Sequence, residues 1–210
     1  MLSRITVIFC AGLLVACANP INQKTTLKYY MAGENALGQG NLPLAKEYFS
    51  RALINTQIGH LGPEAEAEVA LKLGQVLGNM CEHDAAERIF MLALSRKEAA
   101  HGANSASTAI ARVELAQFNF DIGRYEKAVA YFDTAFAVSG AAREASSPGD
   151  YALLLDDYAV AATQLGRPQA AAQATAKAAQ LRQAAAASGA SAGRTDYIRY
   201  PKSCPGGTTL

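Results

Sequence analysis

Small residues recur along the chain at a nearly constant interval, and this recurrence restricts the fold more than any other feature of the 210 residues. Four segments align on it: GNLPLAKEYFSRAL (40–53), CEHDAAERIFMLAL (81–94), GRYEKAVAYFDTAF (123–136) and GRPQAAAQATAKAA (166–179). Ala45, Ala86, Ala128 and Ala171 share one column, 41, 42 and 43 residues apart, and Ala52, Ala93, Ala135 and Ala178 share another seven residues on. Twelve residues before the first column stand Gly33, Gly74, Ala116 and Ala159. Four after it stand Phe49, Phe90 and Phe132, with Thr175 in the last copy. A small residue is needed wherever two helices approach closely, so the pattern predicts helix pairs packed through small faces and stacked four times.

Helical periodicity points the same way. In 65–78 the apolar set Val69, Ala70, Leu73, Val76 and Leu77 follows three- and four-residue steps, with Glu66, Glu68, Lys72 and Gln75 between them. Proline and serine at plausible first turns complete a prediction of eight helices at 25–38, 43–57, 63–79, 82–100, 105–121, 125–139, 149–165 and 168–187. The stretch AAREASSPGD (141–150) reads as the longest break, and no alternating, strand-like run of any length occurs. The fold class expected is all-α, a helical-hairpin solenoid of about four repeats.

The spacings resemble those of the tetratricopeptide repeat, and the longer period resembles the 42-residue form found in kinesin light chains. The resemblance covers roughly residues 25 to 188. Two departures stand out: Cys81 replaces the glycine of the turn within the second hairpin, and the fourth copy is Ala-rich with Thr175 at the aromatic place. In that family the first helices of the hairpins line a concave peptide-binding groove. Carried over residue by residue, the resemblance implies Tyr30, Met31, Glu34, Leu71, Lys72, Gln75, Val113, Glu114, Gln117, Asp156, Asp157 and Val160 as groove residues. The strip would be acidic and apolar, suited to a protein or peptide partner with hydrophobic anchors and basic flanks.

The first residues read as an address. One cation, Arg4, precedes an uncharged apolar run from Ile5 to Ala16, too short to span a bilayer, which takes roughly 20 residues. Leu14-Val15-Ala16-Cys17 resembles the bacterial lipobox, which implies cleavage before Cys17 and acylation of its sulfur and new amino group. With Ala18 next, the same resemblance implies a lipoprotein on the periplasmic face of the outer membrane. The domain reading is a signal peptide at 1–16, a lipid-anchored tether at 17–24, the repeat domain at 25–188 and a flexible C-terminal tail at 189–210.

Composition bounds the function. There are 19 Lys and Arg against 18 Asp and Glu, which gives a nucleic-acid partner no basic excess to work with. The positions of the four cysteines (10, 17, 81 and 204) lack metal-ligand spacing, and no phosphate-loop, nucleophile-elbow or HExxH motif is present. No catalytic residue, metal, small-molecule substrate or cofactor beyond the lipid on Cys17 is expected. His60 and His101 fall 41 residues apart in matching loops and are read as packing or capping residues. Two readings of Cys81 and Cys204 stand, bridged or separate. The tail, with Tyr197, Ile198 and Tyr200 among Arg194, Arg199 and Lys202, is read as disordered, docked in the groove or docked on the last helix.

The function expected is that of a lipid-anchored periplasmic adaptor or assembly factor in the cell envelope or in pilus or secretion assembly. The tetratricopeptide lipoproteins it resembles include secretin pilotins, pilus assembly lipoproteins, outer-membrane-protein assembly factors and adaptors for peptidoglycan hydrolases. The alternative is a ligand-sensing or enzyme-associated regulatory subunit with a closed pocket.

Overall fold

A computed structural model describes residues 20–187 and 199–202. Among these residues there are eight α-helices: α1 (Pro20–Gly38), α2 (Leu42–Ile58), α3 (Pro63–Asn79), α4 (His83–His101), α5 (Ala106–Asp121), α6 (Tyr125–Ser146), α7 (Pro148–Gln164) and α8 (Pro168–Ala187). Each helix packs chiefly on the next, and α5 also meets α7. The odd-numbered helices are therefore the first members (A) of four hairpins, and the even-numbered ones the second members (B).

The starts follow local chemistry. Pro63 and Pro148 open α3 and α7, where a missing N–H costs nothing. Asn41 and Ser105 cap α2 and α5, their side-chain oxygens accepting from Leu44 N and Thr108 N at 3.2 and 3.1 Å. All four A-to-B turns share one pair of hydrogen bonds. Gly40, Cys81, Gly123 and Gly166 donate to the carbonyls of Leu37, Gly78, Phe120 and Thr163, while the residue after each donates to Ala36, Leu77, Asn119 and Ala162. This is the helix-ending geometry that needs a left-handed residue. Cys81 adopts it with φ 63°, beside glycines at 71°, 82° and 66°.

The small and aromatic columns turn out to be two sides of one contact. A Cβ placed on Gly33 would lie 2.8 Å from the Phe49 ring, and one on Gly74 would lie 2.8 Å from the Phe90 ring. Helices α1 and α3 thus each offer a notch that seats the phenylalanine of the paired B helix. Ala116 and Phe132 share a core cluster in the third hairpin. In the fourth, Thr175 is exposed and Ala171, Ala174, Ala178 and Leu181 form the seam. The Ala columns at 45, 86, 128 and 52, 93, 135, 178 are fully buried.

Ion pairs tie successive hairpins through their B helices: Lys46 to Glu82, Arg124 and Lys127 to Glu87, and Lys177 to Glu144. Within the second hairpin, buried Lys97 of α4 meets Glu64 and Glu68 of α3.

Three expectations are revised. Helix α1 begins at Pro20, so residues 20–24 of the expected tether are helical, with Asn22 packed against Gly59. Helix α6 runs to Ser146 through the expected break, because Ala141, Ala142, Arg143, Glu144 and Ala145 all favour helix and no proline intervenes before Pro148. Ser147 alone separates α6 from α7. Of the expected flexible tail, Arg199–Lys202 are docked on the solenoid, for reasons given below. The signal-peptide and lipidation positions, Cys17 among them, lie outside the described residues.

The notch makes a paired prediction. Gly74→Ala should lower stability by about 1–3 kcal/mol through overpacking against Phe90, outweighing the helix-propensity gain. Gly38→Ala, with open space around its Cβ, should lose nothing. Thermal unfolding of the two variants checks this, and an equal gain in both would show that the notch does not exist.

Candidate functional site

Several of the expected groove residues lie on the face built by the A helices, and hydrogen bonds run across that face from one hairpin to the next. Lys72 Nζ of α3 lies 3.1 Å from Glu34 Oε1 of α1. Gln75 Nε2 of α3 donates to Glu114 Oε2 of α5 at 3.4 Å. At the third junction both helices present carboxylates, Asp121 on α5 and Asp157 on α7. They do not meet a cation from either helix. Arg199 of the tail supplies it, one guanidinium nitrogen 2.9 Å from Asp121 Oδ1 and the other 2.9 Å from Asp157 Oδ1. The guanidinium also lies over the Phe120 ring, 5.7 Å from its centre.

Tyr200 then enters the body of the protein. Its ring packs edge-on against Phe118 and Phe90, with centroids 5.3 and 6.1 Å away, and it is 5% exposed. The space it fills exists because residue 78 is glycine, since a Cβ there would come within 2.6 Å of the ring. The Tyr200 N–H donates to Asp121 Oδ2 at 3.0 Å, and His83 Nε2 donates to the Pro201 carbonyl at 3.2 Å. Lys202 lies over the Tyr125 ring, 5.8 Å from its centre. Among the described residues the Tyr200 hydroxyl has no hydrogen-bond partner, so the slot recognises the ring.

The remaining groove candidates divide into three groups. Leu71 and Val113 belong to the apolar core, and Gln117 is buried. Asp156 turns to Arg182 of α8 and is engaged within the last hairpin. Tyr30, Met31 and Val160 remain accessible, and Met31 is 62% exposed. Tyr30 lines an open cleft of about 300 Å³ with Leu27, Gln23 and Thr26 of α1 and Leu61, Ala65, Glu68 and Val69 across from them. A second cleft of about 460 Å³, between Leu37, Leu42, Gln75 and Asn79, is bounded by Arg199 and Pro201. The A face thus has an open half on α1 and α3 and a half occupied by the tail on α3, α5 and α7.

The expected strip missed Gly78 and Asp121. Both were within reach of the same register, because the row through Gln75 and Gln117 continues one helical turn on to Asn79 and Asp121, and Gly78 lies beside it. The histidines do not share a role. His60 is a left-handed turn residue at φ 48°, whereas His101 ends α4 with Nε2 2.7 Å from Glu64. Cys81 is disulfide-bonded. The other three cysteines lie outside the described residues.

Residues 65–141 match the family profile described as Tetratricopeptide repeat. This segment resembles a tetratricopeptide repeat array. It spans the second and third hairpins, the two that seat Tyr200. The tetratricopeptide-like fold extends further. The crystal structure of BtubC (BKLC) from P. vanneervenii aligns with TM-score 0.73 at 18% identity, over 90% of this chain and 71% of that one. The crystal structure of MamA aligns with TM-score 0.60 at 16% identity, over 80% of this chain and 84% of that one. No curated protein sequence matches. These likenesses establish the fold, an all-α solenoid of tetratricopeptide type.

Carboxyl burial on the A face has a pH signature. Burial pushes the Glu114 carboxyl up, against the pull of Gln75, Lys72 and Arg143. Asp157 is likewise raised by burial, with Arg199 pulling it down and Asp121 and Asp156 pushing it up. A raised carboxyl holds its proton in the folded state over a range where the unfolded chain has lost it. Its contribution to stability is present below the ordinary carboxyl range and is lost as pH rises through the raised value. Glu114→Gln should therefore gain stability relative to the parent as pH rises from 4.5 toward neutrality. Parallel melting-temperature profiles for the two proteins would show that Glu114 is not the group responsible.

Proposed function

We propose that this protein is a lipid-anchored periplasmic adaptor that holds protein segments on the A-helix face of its solenoid. The observation that carries the reading is the docked stretch Arg199–Lys202, an irregular chain segment seated by a guanidinium, an aromatic ring and two backbone hydrogen bonds. A face that binds its own chain in this way offers a partner segment the same chemistry. The open half supplies further room, with Leu27 and Met31 exposed one turn apart beside the Glu34–Lys72 pair. The clefts open to solvent on one side, which favours a peptide over an enclosed small ligand.

The membrane part rests on the sequence. Acyl chains on Cys17 would hold the chain at the outer membrane without a basic patch, since more than one chain exceeds what stable anchoring requires. No described helix is long and apolar enough to cross a membrane. The role proposed is in envelope or pilus and secretion assembly, where such an adaptor keeps a partner close to the membrane.

A photo-crosslinking side chain placed at Met31 in cells tests both parts. Met91, exposed on B helix α4, serves as the control position. The reading predicts a discrete adduct from Met31 that weakens on Lys72→Glu, none from Met91, and loss of the adduct from the membrane fraction with Cys17→Ser. Equal adducts from both positions would count against the groove, and unchanged fractionation of Cys17→Ser against the anchor.

A further inference from the structure

Three of the four A-to-B turns place glycine at the left-handed position, and the second places Cys81 there at φ 63°. A side chain in that region costs on the order of 1 kcal/mol, so its presence calls for a compensating contact. Cys81 has one, because it is disulfide-bonded.

The docked tail identifies the other sulfur by reach. Tyr200 fills the notch at Gly78, three residues before Cys81, and the Pro201 carbonyl accepts from His83, two residues after it. Cys204 follows Pro201 by three residues, and three residues span at most about 10 Å. Cys17 precedes Pro20 by the same number, but Pro20 begins α1 at the opposite end of the A helices. Gln23 and Leu27 lie beside Leu61 and Ala65 at the start of α3, whereas Cys81 follows its end. A helix of 17 residues is about 25 Å long, beyond what three residues can bridge. Cys10 lies in the apolar run that cleavage before Cys17 would remove.

We propose that the slot over Gly78 is a docking site for arginine–aromatic peptide segments, kept shut by the chain's own tail through a disulfide between Cys81 and Cys204, and opened when that bond is reduced. This rests on the reading of the A face as a peptide-binding surface and adds its ligand class and its control. The ligand class follows from the resident segment: a guanidinium between Asp121 and Asp157, then a ring against Phe90 and Phe118.

A dithiol reductant opens the clasp in two exchanges. Its first thiolate attacks one sulfur of the bond, forming a mixed disulfide and releasing the other cysteine as a thiolate. Its second thiol displaces the remaining cysteine. Two electrons and two protons pass to Cys81 and Cys204, and the reductant leaves as a disulfide. The tail then competes with other segments only through its tether, an effective concentration of roughly millimolar, where before it was fixed in place.

The experiment uses the full chain purified without reductant. Proteolysis and mass spectrometry should find Cys81 linked to Cys204, with the link lost on adding dithiothreitol. A fluorescent synthetic peptide of residues 195–203 should bind the reduced protein at least about tenfold more tightly than the oxidised one. Cys204→Ser should behave as the reduced protein does without any reductant. Gly78→Ala, a helix-compatible change with its melting temperature checked, should abolish peptide binding to the reduced protein. A free Cys81, or one paired with Cys10 or Cys17, overturns the clasp. Equal affinity in both redox states, or binding that survives Gly78→Ala, overturns the slot. The peptide reads the slot alone and the Met31 adduct reads the open half, so loss of one with retention of the other tells which reading has failed.

Discussion

The first two hairpins are each held by a phenylalanine from the second helix pressed into a gap left by a missing side chain on the first, and small residues let the other two pack as closely. At Gly33 and Gly74 the gap leaves no room for a methyl group. The contact sets how closely the two helices approach and fixes their rotation about their own axes. Once that rotation is fixed, the faces pointing toward neighbouring hairpins are fixed too. The B helices then meet through Lys46–Glu82, Glu87 with Arg124 and Lys127, and Glu144–Lys177. The A helices meet through Glu34–Lys72 and Gln75–Glu114. Half-exposed pairs of this sort add little stability one by one. Their regular placement is a consequence of the notch, and the notch supplies the packing that stabilises the array.

The third A-helix junction breaks the rule, and the break is where the protein departs from a plain solenoid. Asp121 and Asp157 face the same space with no cation from either helix, and a nearly buried carboxylate without a partner is costly. Arg199 resolves the conflict from outside the array. Gly78 repeats the logic of the notch, with a glycine on an A helix and an aromatic ring seated in it, but the ring comes from the tail. Tyr200 thereby joins the largest core cluster as a buried member. The docked segment therefore does two things at once. It completes the core between the second and third hairpins, and it occupies half of the A-helix face.

How much of this could be read from the residues differs by level. The columns at Gly33, Gly74, Ala45 and Phe49 revealed the hairpins because close helix packing tolerates few side chains, and such a constraint leaves a mark at every repeat. Helix α6 runs through the break expected at 141–150 because only Ser147 is needed to turn the chain into α7. The groove candidates divide: Glu34, Lys72, Gln75, Glu114 and Asp157 make contacts across the A face. Leu71 and Val113 point into the core, and the row that receives the tail runs through Gly78 and Asp121. A contact made once, by a segment far along the chain, has no repeat to display it. What hinted at it was the arginine- and tyrosine-bearing composition of the tail and Cys81 standing where a turn glycine belongs.

Tyr200 of the tail is built into the core of the array, and nuclear Overhauser contacts of its ring test this most directly. In the full chain its ring protons should show contacts to the Gly78 α-protons and to the Phe118 ring, 5.3 Å away between centres. A Tyr200 ring with solvent-like chemical shifts and no contact to either residue would contradict it.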